Sequence, residues 1–142
     1  MPTDPKPLLV AAAIIVEKDR YLITQRRSNV HCGDLWEFPG GKVLPGESLE
    51  TCLVREIQEE LGIEIRVLDL MEVVDHRYPD IWVSLNFFRC VRLSGTPLAL
   101  GCSAFKWVLP EELALHPFPE ADTLFLKKLG RSAVLQSVKP GG

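Results

Sequence analysis

What is scarce in this sequence narrows its reading before any motif does. The four cysteines, Cys32, Cys52, Cys90 and Cys102, include no CxxC pair and no zinc-finger spacing. They read as reduced structural thiols of a cytoplasmic protein, and a chain of 142 residues is not expected to need a disulfide framework. Positive charge is not in excess either: 16 Lys and Arg stand against 19 Asp and Glu, a net charge of −3. Without a general basic field no nucleic-acid polymer is expected as a partner, and any phosphate must be held by local lysines, arginines or metal. Long apolar runs are missing. Residues 7–16 are apolar and follow Lys6, but they are too few to span a bilayer, lead to no convincing cleavage site and continue as a β pattern. A buried strand is expected there, and no membrane partner. Internal repeats and low-complexity segments are also lacking.

What is present suits one soluble domain over residues 1–142. Hydrophobic residues make up 46% and charged residues 25%, and the length is enough to enclose a core. Residues 8–16 and 21–25 read as strands joined by the polar turn 17–20, followed by a loop over 28–34 and a short strand over 36–38. Residues 63–74 and 81–93 read as a pair of long strands around the turn 75–80. A loop over 94–103 leads to a last strand over 105–108 and a helical turn over 110–113. A second helix is expected to start at Pro119 and to stop before Gly130, with a tail from Arg131 that frays. Strands interleaved with two helices predict a mixed sheet between helical layers, an α/β class.

The informative stretch is residues 41–63, GKVLPGESLETCLVREIQEELGI. Ser48 has the side chain to cap a helix and Gly62 the freedom to end it. At about 100° per residue, Glu56, Glu59 and Glu60 fall within one arc, beside the apolar arc of Leu53, Val54, Ile57 and Leu61. A solvated charged face is the ordinary reading of a glutamate-rich helix. It explains poorly why like charges crowd together at the edge of a core, whereas a divalent cation removes the difficulty. Oxygen ligands without His or Cys point to magnesium or manganese rather than zinc. Pro39-Gly40-Gly41 reads as a turn that brings the backbone close to whatever is bound, and Gly40 and Gly41 can approach a metal or a phosphate because no Cβ intervenes.

Gly41, Glu47 and the run Arg55-Glu56-Ile57-Gln58-Glu59-Glu60-Leu61-Gly62-Ile63 match the fixed positions of the Nudix box. The chain therefore resembles the Nudix hydrolases, which cleave nucleoside diphosphates linked to another group, and Leu35-Trp36-Glu37-Phe38-Pro39-Gly40 resembles the MutT branch in particular. That resemblance implies an α/β/α sandwich and a bound Mg²⁺ or Mn²⁺ on Glu56, Glu59 and Glu60. It also implies water attack at the β-phosphorus of a nucleoside triphosphate, releasing a monophosphate and pyrophosphate. Glu59, Glu60 and Arg55 are the catalytic candidates. Arg55 either pairs with Glu59 one turn on, as the family pattern also has it, or reaches phosphate. Glu47 either supports the loop or joins the second shell of the metal, though a glutamate near a helix N-terminus is favourable in any case.

Substrate candidates lie outside the box. Arg26 matches a phosphate- and base-side arginine of the family; one of the neighbours Arg26 and Arg27 reads as surface, and spacing alone does not choose between them. Asp122 aligns with a substrate-reading position, or merely favours the dipole at a helix N-terminus; if it reads a base, an ionised Asp accepts only and needs N–H donors such as the guanine N1/N2 edge or the cytosine amino group. Phe38 and Tyr78 offer stacking surfaces or belong to the core. Many MutT-like members carry a further glutamate six residues before a Trp such as Trp107, where this chain has Gly101. The first expectation is hydrolysis of an oxidised purine nucleotide such as 8-oxo-dGTP. CTP or a modified dCTP is the alternative substrate, and a weakly catalytic nucleotide sensor is the reading from another class. Oligomeric state is not legible.

Overall fold

The computed structural model describes residues 6–137, with side chains through residue 130. Strand β1 (Leu8–Glu17) is its central element, and residues 11–15 are buried on both faces, which is why the segment reads as a continuous apolar run rather than an alternation. Ala11, Ala13 and Ile15 face one core, and Ala12 and Ile14 face the other. The turn to β2 (Arg20–Gln25) is only Lys18 and Asp19, both left-handed at φ 51° and 64°, as a two-residue hairpin requires.

Two short strands follow, β3 (Trp36–Glu37) and β4 (Gly40–Lys42). The glycines read from sequence as a turn thus form a strand, antiparallel to β1 with Ala12 opposite Gly40. Helix α1 (Leu49–Leu61) has the expected limits: Ser48 Oγ accepts from Thr51 N at 3.0 Å, and Gly62, at φ 69°, sends its N–H to the Gln58 carbonyl. It buries Cys52, Leu53, Ile57 and Leu61, whereas Val54 lies at the rim and is exposed, contrary to the expected arc. Each of those aliphatic side chains contributes about 1.5–3 kcal/mol by leaving water.

Strand β5 (Glu64–Arg77) runs three residues further than expected, so the turn tightens to Tyr78–Ile81 before β6 (Trp82–Ser94). Strand β7 (Ala104–Val108) pairs with β2, and a 3-10 segment (Pro110–Leu115) follows. Helix α2 (Glu120–Ser137) passes through Gly130 instead of stopping there. A Cβ at that position would meet nothing, so no packing need makes the glycine a terminator. The last residues of the expected tail, 138–142, lie outside the described residues.

The sheet order is β3-β2-β1-β6-β5, with β4 beside β1 and β7 beside β2; β1 and β6 run parallel and the other pairs antiparallel. One core lies under α1 and the other, containing Phe38, Phe87 and Phe125, under α2. The architecture is an α/β/α sandwich with a mixed sheet. The loop after β6 closes over the end of α1, where Leu98 N donates to the Leu61 carbonyl and Leu100 and Gly101 N both donate to that of Glu60. This accounts for carbonyls that a helix end leaves without partners. No described helix is long and apolar enough to cross a membrane.

Candidate active site

Two carboxylates of α1 and one from the loop before it meet a single organising cation. Arg55 Nε and Nη2 reach the two oxygens of Glu47 at 2.6 and 3.0 Å, and its Nη1 donates to Glu56 at 2.9 Å and to Glu59 at 3.2 Å. Glu47 Oε1 also accepts from Leu44 N, which fastens the loop before the helix. These bonds hold the Glu47 carboxyl at a pKa of about 2, chiefly through Arg55. Glu59 is the outermost of the set, with 62% of its side chain exposed. Glu56 is folded inward: a Cβ added to Gly41 would stand 2.3 Å from its carboxyl carbon. Gly41 is therefore needed for the close approach of this carboxylate. Gly40 answers a different need, since a Cβ there would collide with the Ala11 carbonyl of β1.

Glu60 turns to the opposite side of the same helix face and is buried. Burial first, and then the negative charges of Glu37 and Glu56, push its carboxyl up to about 8, against the Thr24 hydroxyl and the Gly40 N–H that face it. Thr24 Oγ1 is itself buried without a well-formed hydrogen bond to any described group. Among the described residues, no three His, Cys, Asp or Glu side chains are gathered ready to hold a metal. The donor chemistry nevertheless suits a hard divalent cation: two inward carboxylates, a glycine backbone and an orphaned hydroxyl, all oxygen, with one acid that needs a nearby positive charge to ionise at neutral pH.

Glu60 lines a small cleft together with Arg26, Arg27, Glu37, Gly40 and Gly101. Arg26, Glu37 and Gly40 also line a larger cavity of about 370 Å³ that runs over β1 and β6 to the start of α2. Its walls are apolar, from Val10, Ala12, Val83 and Leu85, and Asp122 stands at one end. Arg26 joins the two spaces. Its Nη1 donates to Glu37 Oε1 at 2.9 Å and its Nε to the His31 carbonyl at 2.8 Å. Asp122 is only 5% exposed, and none of the other described side chains is hydrogen-bonded to it. Burial, then the charge of Glu37, raise its carboxyl well above the ordinary range, with Arg26 pulling the other way. The acid is thus positioned to be neutral, able to donate as well as accept. Burial therefore favours the neutral form of Asp122 over the ionised, acceptor-only form.

The structure brings Arg26, Phe38, Gly40, Gly41 and Asp122 to the cavity. Phe38 reaches it from inside a ring cluster with Tyr21, Phe87, Phe118 and Phe125 and is 2% exposed. Tyr78 is not on the lining. Its hydroxyl accepts from Ala121 N at 3.0 Å, and its ring meets His31 and His76 edge-on, so it braces the start of α2. Among the lining residues not singled out from the sequence are two that carry polar chemistry, Glu37 and His31. The signal for Glu37 was available, because a carboxylate inside the apolar stretch Trp36-Glu37-Phe38 needs a partner. His31 depends on loop conformation, which no local pattern encodes.

Comparison with known proteins identifies the family and the fold. Residues 10–128 match the family model described as NUDIX domain. An 8-oxo-dGTP diphosphatase of Escherichia coli strain K12 is 35% identical over 127 residues, 89% of this chain and 98% of that protein. A CTP pyrophosphohydrolase of the same organism is 36% identical over 122 residues, 86% of this chain and 90% of that one. Among solved structures, the MutT protein from Methanosarcina mazei Go1 superposes with a TM-score of 0.81 at 26% identity, covering 93% of this chain and 99% of its own.

Proposed function

The chain belongs to the NUDIX family of hydrolases, and from that premise we propose that it is a magnesium-dependent pyrophosphohydrolase of nucleoside triphosphates whose preferred substrate is an oxidised purine nucleotide such as 8-oxo-dGTP. The observation that carries the substrate is Asp122, a buried carboxyl without a partner side chain at the end of an apolar cavity the size of a nucleoside. A neutral carboxyl offers one donor beside one acceptor. Guanine presents two acceptors, N7 and O6, on its major-groove edge. Oxidation at C8 turns N7 into an N–H, which gives that edge a donor next to an acceptor. Neutral Asp122 then makes two hydrogen bonds to the oxidised base and one to the normal base. Cytosine also pairs a donor, N4, with an acceptor, N3, so CTP or an oxidised dCTP is the second reading, favoured by the same residue and by the CTP-hydrolysing relative.

With the base at Asp122, the phosphates run past Arg26, Glu37 and Gly40 into the cleft at Glu60. A triphosphate carries about four negative charges and could not lie beside these carboxylates unaided. Glu56, Glu59 and Glu60, with the Gly40 backbone, would hold the metal. When bound, Mg²⁺ supplies charge neutralisation of the phosphate oxygens and activation of water. Arg55 orients Glu56 and Glu59 through bonds fixed at its other side by Glu47. Water adds at the β-phosphorus, the bond to the oxygen bridging to the α-phosphate breaks, and the nucleoside monophosphate leaves with that bond's electrons.

A panel of nucleotides with magnesium, with products identified by chromatography, tests this reading. Pyrophosphate and 8-oxo-dGMP are expected, with loss of turnover in Glu59→Gln. Nucleotide binding without turnover across the panel would establish the sensor instead. Release of products other than pyrophosphate and a monophosphate would place the substrate among other nucleoside diphosphate derivatives. Cytoplasmic residence belongs to the same proposal, as does a small-molecule nucleotide as the partner.

A further inference from the structure

The cations around the cleft are not equivalent. Arg55 is committed to three carboxylates, and Arg26 to Glu37 and the His31 carbonyl. Lys42 lines the larger cavity but not the cleft. Arg27 is different, since among the described residues it forms no ion pair. Its one hydrogen bond sends Nη2 to the Leu100 carbonyl at 3.0 Å, beside Gly101. An exposed guanidinium without a carboxylate, on the wall of a cleft that also holds Glu60 and Glu37, has donors free for an anion.

Gly101 gives that placement its meaning. Its N–H bonds to the Glu60 carbonyl, and a Cβ there would stand 3.2 Å from Glu60 Cα, so this wall of the cleft carries no side chain of its own. Arg27, tethered to the preceding residue's carbonyl, stands over the position. The cleft lies beyond Gly40 from the cavity with Asp122, which makes it the end of the path for the phosphate farthest from the base. We propose that Arg27 binds the terminal phosphate of the triphosphate, putting a fixed positive charge on the wall that Gly101 leaves bare. This rests on the reading of the chain as a triphosphate hydrolase. The consequence is selectivity for chain length: a nucleoside triphosphate reaches Arg27 and the matching diphosphate does not.

Arg27→Met, which keeps the stem and removes the charge, and Arg27→Lys, which keeps the charge, test this against wild type with 8-oxo-dGTP and 8-oxo-dGDP. The diphosphate is followed as substrate or as competitive inhibitor, and binding of magnesium pyrophosphate is measured by calorimetry. For Arg27→Met, KM for the triphosphate should rise by about tenfold or more. Affinity for the diphosphate should change by less than about threefold on the same scale. Pyrophosphate binding should weaken in step with the triphosphate, and Arg27→Lys should recover part of both losses. Equal losses on tri- and diphosphate would show that Arg27 only tethers the loop, and no loss on either would show that it does nothing at the site; each overturns the proposal. If wild type releases no pyrophosphate from any triphosphate, the underlying reading fails, an outcome separate from failure of the Arg27 variants alone.

Discussion

Glu47 Oε2 lies 2.6 Å from Arg55 Nε, the tightest link between the loop before α1 and the carboxylates on it. Through Arg55 the loop acid sets the positions of Glu56 and Glu59. Lysine cannot make the same bonds, because its single ammonium has no planar fork. Arg55→Lys should therefore keep the fold and lower kcat at least about tenfold, as expected when positioned groups lose alignment. Steady-state kinetics and a melting curve measured together check this. The ion pair adds to stability above the ordinary glutamate range and loses that contribution as pH falls through about 2, where Glu47 takes up its proton.

Glu60 gives the opposite pH dependence. Its folded pKa, about 8, lies above the unfolded value of 4.5, so the folded state holds a proton that the unfolded chain has released. In metal-free protein its favourable contribution is complete below pH 4.5 and is lost as pH rises through about 8. Melting curves in chelator from pH 5 to 9 should fall with pH, and Glu60→Gln should flatten that fall. Magnesium or manganese binding should release a proton and strengthen over the same interval in wild type, but not in the variant. A flat melting profile in wild type would refute the assignment.

Helix α1 was legible in detail because its signals are local: a capping serine, a terminating glycine and acids at helical spacing. The box arginine was legible as a partner of glutamates, but its stronger attachment to Glu47 required the loop to fold back eight residues, which spacing along a helix does not reveal. The strand at Gly40 was missed because its pairing with Ala12 is nonlocal, and local composition there favours a turn. Gly130 misled because a glycine within a helix costs only about 1 kcal/mol, too little to end one by itself. The upward shift of the Asp122 carboxyl comes from burial and then from the charge of Glu37, a group 85 residues away in the chain.

Gly40 and Gly41 are adjacent but should fail differently. Alanine at 41 meets the movable end of Glu56, so the protein should fold with nearly wild-type stability while manganese binding and turnover fall. Alanine at 40 meets the Ala11 carbonyl, which is backbone, so β4 must leave β1 and the melting temperature should drop. A loss of about 1–3 kcal/mol is the ordinary cost of such overpacking. Metal titration by paramagnetic resonance, paired with thermal denaturation, separates the two outcomes.

Gly101 invites the substitution Gly101→Glu, which would restore the acid seen at the matching position of many MutT-like sequences. The backbone of Glu60 stands 3.2 Å from the added Cβ, and the loop is pinned there by two hydrogen bonds to the Glu60 carbonyl. The variant should lose about 1–3 kcal/mol of stability. It should not gain activity, because the new side chain displaces the α1 terminus that carries Glu59 and Glu60. A kcat above wild type would show that the loop yields and that the missing carboxylate limits the reaction.

Asp122 offers the sharpest test of substrate choice. Asparagine keeps a donor and an acceptor side by side, while alanine keeps neither. Asp122→Asn should preserve the preference for 8-oxo-dGTP over dGTP, and Asp122→Ala should cost about 1–3 kcal/mol of that discrimination, the worth of a bidentate base contact. The pH profile distinguishes a neutral acid from a charged one. Because burial raises the carboxyl, wild-type preference should be greatest at low pH and decline as pH rises through the Asp122 pKa, where the side chain ionises and only accepts. Asp122→Asn has no proton to lose and should show the same preference throughout. If wild-type preference instead increases with pH, Asp122 reads the base as a carboxylate, and a base edge with two donors, such as N1 and N2 of guanine, becomes its target.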